Sequence, residues 1–228
     1  MSIGDAEIKT QERVIRFFKD PEILGYQYIG NLSDYQNKNI KEDRLRQYLR
    51  LKGYADKLID AAIMQLQQEA GNLSRGVYDA NKTVYSRLKY GIPVSESPEK
   101  PPVTVQLVDE EKPLNNDFAI AEEVTVVEQS EKRPDLVVYL NGIAVAVIEL
   151  KRSSISVSEG IRQNLTNQKN SFIQSFFTTM QFCMAGNESE GLRYGTLLTG
   201  EKFYMEWKDD GFKEHEEERD PVDVRISK

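Results

Sequence analysis

Apolar positions fall at helical spacing in the first part of the chain and at strand spacing after it. Ile8, Val14, Ile15 and Phe18 make one helical stripe, which Pro21 ends. Residues 40–51 and 56–70 continue the pattern, with Asp56 suited to cap the third helix and Gly71 to stop it. Residues 77–89 predict a fourth helix. Ser95 opens SESPEKPP (95–102), a turn-rich linker.

The pattern then changes. Residues 103–108 and 119–127 predict strands, the latter rich in β-branched side chains. Two strands, 136–140 and 143–150, meet at Asn141-Gly142. Ser158 is placed to cap a helix through Asn167. The apolar run SFIQSFFTTMQFCM (171–184) predicts another helix, and 192–199 with 203–207 a closing hairpin around Gly200. Helices followed by a sheet with helices against it predict an α/β (α+β) fold with a mixed central sheet. The expected organisation is a helical segment over 1–94, a core over 103–207 and an acidic linker over 208–228.

Strand 143–150 is apolar on both faces, Ile143, Val145 and Val147 on one, Ala144, Ala146 and Ile148 on the other. Such a strand is interior to a covered sheet. Its outer end carries Glu149 and Lys151 on one face, and the partner strand starts at Pro134-Asp135. Whether Asp135 shares that face depends on the turn. A two-residue Asn141-Gly142 turn with regular pairing sets Asp135 opposite Ile148, away from Glu149. A three-residue turn, or a compensating bulge, brings the acids to one side.

Two carboxylates held together repel, and a hard divalent cation removes that cost. Mg²⁺ takes oxygen ligands and keeps waters, so Asp135, Glu149 and the Leu150 carbonyl form a plausible set. Such a metal polarises a phosphate oxygen and acidifies a bound water. Lys151 can orient the attacking water and offset phosphoryl charge. Glu-x-Lys and Pro-Asp are each ordinary at strand ends. Only the whole arrangement favours a metal-dependent nuclease.

Of the 228 residues, 39% are hydrophobic and 29% charged, which suits a globular protein with a real core. No apolar run is long enough to span a bilayer, and the start lacks the pattern of a secretory signal. The single Cys183 excludes an internal disulfide framework and fits a cytoplasmic setting. With one cysteine and one histidine, the usual zinc ligands are lacking, and a His-based nucleophile would need His215, in a charge run that reads as solvated. A net charge of -7 counts against a protein that captures DNA unaided. The local balance reverses around Lys151, Arg152, Arg162 and Lys169.

RPDLVVYLNGIAVAVIELKR (133–152) resembles the PD-(D/E)xK nuclease superfamily, with Asp135, Glu149 and Lys151 at its motif positions. With PLNNDF (113–118), IRQNLTNQ (161–168), YGTLLTG (194–200), Thr10-Gln11-Glu12 and Gly91-Ile92-Pro93-Val94, the chain is similar to the amino-terminal endonuclease domain of the type I restriction enzyme restriction (motor) subunit. The resemblance implies a restriction-endonuclease-like sheet flanked by helices. It implies Mg²⁺-dependent cleavage of double-stranded DNA after ATP-driven translocation, in a complex with methyltransferase and specificity subunits. The chain has no P-loop, so ATP would act only through motor domains outside it. By the same resemblance Asp135 and Glu149 are the metal acids, Lys151 the catalytic lysine and Gln163 the start of a Gln-x-x-x-Tyr motif, with Asn167 where tyrosine is expected. Gln163 either bonds a phosphate or a metal water, or is a polar residue on an exposed helix side. Glu12 is the nearest match to an acid from an early helix, or an ordinary exposed glutamate. Arg152, Arg162, Gln163 and Lys169 are the expected nucleic-acid contacts. The alternative is a non-catalytic module of the same fold, coupling the motor to the other subunits.

Overall fold

The structure is a computed structural model that describes residues 3–97 and 99–208. His215 and the acidic run after residue 208 lie outside the described residues. In chain order the elements begin with α1 (Ile3–Lys19), β1 (Gln27–Asn31), α2 (Glu42–Leu51), α3 (Asp56–Gly71), α4 (Val77–Tyr90), β2 (Ile92–Val94) and β3 (Val103–Val105). They continue with β4 (Phe118–Glu122), β5 (Val126–Val127), β6 (Glu131–Lys132), β7 (Leu136–Leu140), β8 (Ile143–Leu150), α5 (Val157–Asn167), β9 (Phe182–Asn187), β10 (Gly191–Gly195) and β11 (Met205–Glu206).

Seven strands form one mixed sheet in the order β1-β4-β7-β8-β9-β10-β11. β1 runs parallel to β4 and β8 parallel to β9; the other neighbours are antiparallel. α5 lies in the crossover from β8 to β9, as a parallel pair requires. α1 covers one face, where Ile15 packs with Leu136, Val138, Ile148 and Leu150. The other face buries Val137, Tyr139, Ala144 and Val147 under Phe176, Phe177 and Met180. A separate core joins α2, α3 and α4 to the β2–β3 hairpin and reaches the sheet at Ile143.

The helices form where apolar spacing predicts them. α2 buries Leu45, Tyr48 and Leu49 on one face, with Glu42 and Asp43 at its positive end. Asp56 is the first residue of α3, with Ala55 at the cap position, and Ser156 caps α5 in place of Ser158. Residues 95–102 connect two paired strands, β2 and β3. Within the segment expected to be helical, β1 is an edge strand of the main sheet.

The predicted helix over 171–184 is absent. Gln174–Thr179 forms a 3₁₀ turn and the chain then enters β9. Distant side chains satisfy the backbone here. Asn81 Nδ2 donates to the carbonyls of Thr178 (3.0 Å) and Met180 (2.8 Å), and the Glu128 carboxylate accepts from the N–H groups of Ser175 (3.0 Å) and Phe176 (2.8 Å).

The β7–β8 turn has two residues, Asn141 and Gly142, with φ of 52° and 83°, as a tight hairpin demands. It is held from both sides. Asn141 is fully buried. Its Nδ2 donates to the carbonyl of Leu107 and to Asn116 Oδ1, both 2.8 Å, and its Oδ1 accepts from Asp117 N–H at 2.7 Å. A β-carbon on Gly142 would stand 2.7 Å from both Leu45 N and Lys41 O. The N-N-D segment and the Asn-Gly turn are thus one interlocked unit.

Candidate active site

The turn is the two-residue form, yet Asp135 and Glu149 still meet, because β8 carries a bulge. Leu140 pairs with Ile143 and Tyr139 with Ala144, but Val138 pairs with Ala146, leaving Val145 unmatched. The extra residue inverts the alternation beyond it. Ala144 and Val147 therefore share a face, and the strict alternation expected over 143–148 is corrected accordingly. Leu136 pairs with Ile148, so Asp135 comes opposite Glu149.

Asp135 is fixed by its neighbours. Its carbonyl accepts from Glu123 N–H at 2.8 Å, and the Pro134 carbonyl from Val124 N–H at 3.0 Å. Its Oδ2 accepts from Leu150 N–H at 2.7 Å. The two polar groups of one strand residue leave on the same edge, so the Leu150 carbonyl also leaves towards Asp135. Lys151 N–H turns the other way, to Gly186 O at 2.9 Å.

Glu149 is completely buried. Its Oε2 accepts from Gln163 Nε2 at 2.6 Å, while its buried Oε1 receives no N–H or hydroxyl donor, and the carboxyl lies within hydrogen-bonding reach of Asp135. Burial first, then the charge of Asp135, hold this carboxyl well above the ordinary glutamate value, and the Lys151 cation opposes them. Gln163 gets this close because Gly160, one turn earlier on α5, has no side chain. A β-carbon there would meet Ala185 Cβ at 3.0 Å and Glu149 Cβ at 3.5 Å.

The fold thus gathers Asp135, Glu149, Leu150, Lys151 and Gln163 at the C-terminal end of β8. It leaves Glu12 exposed on α1; the neighbouring Gln11 is the buried residue that turns inward. Arg162 is exposed, and its guanidinium is paired with Glu201 at 2.8 Å and Glu159 at 2.8 Å. Arg152 is half-buried and Lys169 exposed, while Asn167 is buried in the last turn of α5.

Glu123, not among the residues expected from the sequence, lies where β4 breaks, at a φ of 51°. Its carboxylate accepts from Arg133 Nε at 2.7 Å and from Gln11 Nε2 at 3.3 Å. Gln11 also donates to Glu122 at 2.9 Å, which takes a 2.6 Å bond from the Tyr28 hydroxyl. The Glu122-Glu123 pair was the local signal, but it falls inside the strand predicted over 119–127. Among the described residues no three His, Cys, Asp or Glu side chains gather closely enough to hold one ion between them.

The profile of the type I restriction enzyme R protein N terminus matches residues 7–203. The chain belongs to that family. No curated protein matches the chain. The family match covers most of α1, the helical core and strands β1 to β10, so the site and its supports all lie inside this R protein N-terminal region. No helix among the described residues is long and apolar enough to cross a membrane.

Proposed function

We propose that this R protein region is a Mg²⁺-dependent endonuclease domain that hydrolyses DNA phosphodiester bonds. The observation that carries the reading is the Val145 bulge, which sets Asp135 opposite a fully buried Glu149 whose Oε1 receives no N–H or hydroxyl donor. Two buried carboxyl groups side by side are costly when both are ionised, so without an ion the pair keeps a proton, and a bound cation would take that proton's place. Asp135, Glu149 and the Leu150 carbonyl suit a hard ion that keeps much of its water. Such an ion would supply Lewis-acid stabilisation of phosphoryl charge.

The chain's own residues do the positioning. Leu150 N–H fixes the Asp135 carboxylate, and Gln163 fixes that of Glu149. The Lys151 cation lies within electrostatic reach of Glu149. From there it orients the attacking water and balances the charge growing on the phosphate. Double-stranded DNA is the substrate, delivered by the ATP-driven motor part of the R protein in complex with methyltransferase and specificity subunits, in the cytoplasm. Arg152 and Lys169 are the expected phosphate contacts on this side.

The test is plasmid cleavage by the full R protein in its complex. Asp135→Ala and Lys151→Ala should each abolish cleavage, by a factor of at least about 10², while ATP hydrolysis continues. Cleavage that survives both substitutions would leave the domain as a non-catalytic coupling module.

A further inference from the structure

Glu123 is held with more care than a surface ion pair needs. It sits in a left-handed backbone conformation that glutamate disfavours. Its N–H clamps the carbonyl of Asp135. Its carboxylate is held from two sides, by Arg133 and by the buried amide of Gln11. An exposed Arg–Glu pair contributes little to stability and would explain neither the strain nor the buried glutamine. Glu122 pairs with Leu136 and Leu136 with Ile148, so Glu123, Asp135 and Glu149 follow one another across three neighbouring strands, and a third acid beside that pair is reasonable where a cation is to be bound.

We propose that Glu123 is a positioning residue of the cation site, its carboxylate accepting hydrogen bonds from the hydration shell of an ion held by Asp135 and Glu149. The inference rests on the nuclease reading above. Among the described residues no three acids gather closely enough to ligate one ion directly, so Glu123 acts through water. Gln11 and Arg133 hold it at that station. Outer groups of this kind orient the inner ones and tune the metal.

The experiment is calorimetric titration of the chain with Mn²⁺, paired with thermal unfolding in a chelator. The variants are Glu123→Gln, Gln11→Leu and Asp135→Asn. Glu123→Gln keeps the shape and removes the charge. It should weaken Mn²⁺ binding about 10- to 100-fold without lowering the metal-free melting temperature. Gln11→Leu, which leaves the carboxylate intact but frees it, should weaken binding by a smaller factor; it stands as the test if Glu123→Gln does not fold. Mn²⁺ affinity equal to wild type in the folded variants overturns the role of Glu123 and leaves the nuclease reading intact. A wild-type chain that takes up no Mn²⁺, or an Asp135→Asn variant that binds as wild type does, overturns both.

Discussion

Replacing Glu149 with glutamine should make the metal-free protein more stable, by an amount that grows with pH. The two side chains are nearly isosteric. The new carboxamide oxygen can keep the 2.6 Å contact with Gln163, and its NH₂ can donate towards Asp135. The magnitude follows from linkage. Glutamate ordinarily titrates near 4.5, and in the folded chain burial and the Asp135 charge raise that value. Between the two values the folded protein holds a proton that the unfolded chain has released. Wild-type stability therefore falls by about 1.4 kcal/mol per pH unit across that window. The stabilisation is fully present below the ordinary value and is lost as pH rises through the folded one. The variant has no such proton. Its advantage should be small near about pH 5, widen by about 1.4 kcal/mol per unit, and level off at the folded value of the Asp135–Glu149 pair. The assay is urea unfolding followed by circular dichroism in a chelator, from about pH 5 to about pH 8. A gap that stays flat with pH, or a variant less stable at the upper end, would refute the claim that Glu149 is an uncompensated buried acid. Adding Mg²⁺ should stabilise wild type alone, since only a site with both carboxylates gains from the ion.

Two more substitutions probe the supports of the site. Gly160→Ala lies within a helix, where such a change ordinarily gains about 1 kcal/mol. Here a methyl 3.0 Å from Ala185 Cβ should cancel that gain, push α5 outward and reduce cleavage by lifting Gln163 from Glu149, as paired unfolding and cleavage assays will show. Asn141→Ala removes the three hydrogen bonds of a buried asparagine side chain at the hairpin turn and should cost about 3 kcal/mol in urea unfolding.

The hairpin that carries the acids is legible in the sequence because its ends are marked by local chemistry. Charge and proline bound it outside, and Asn-Gly folds it inside. β7 and β8 accordingly match the predicted 136–140 and 143–150. The bulge was open in the sequence only as one of two ways to satisfy parity, because nothing about Val145 itself distinguishes it from its neighbours. The 171–184 run was misread because its composition suits a helix. What overrides that preference is Asn81 and Glu128, remote in sequence, which take the backbone groups a helix would have satisfied internally. β1 was invisible because QYIGN has little alternation and owes its place to pairing with β4. At the site, the hairpin residues could be named from spacing, and Gln163 on α5 from the family resemblance. Glu123 could not, since its relevance depends on a break in β4 that places a strand-end acid beside a distant strand.

The interlock at Asn141 and Gly142 has a consequence for the chemistry at the far end of the hairpin. Pairing in a β-ladder is counted from wherever it is anchored, and this ladder is anchored among the helices, against Lys41, Leu45 and Leu107. The acid-bearing end has holds of its own, at Glu123 N–H and Leu150 N–H, but they presuppose that count. A lesion among the helices, touching neither acid, could slide the count by one and turn Asp135 to the opposite side. Cleavage-dead alleles should thus map to the asparagine knot as well as to the carboxylates, in a protein whose sheet still forms.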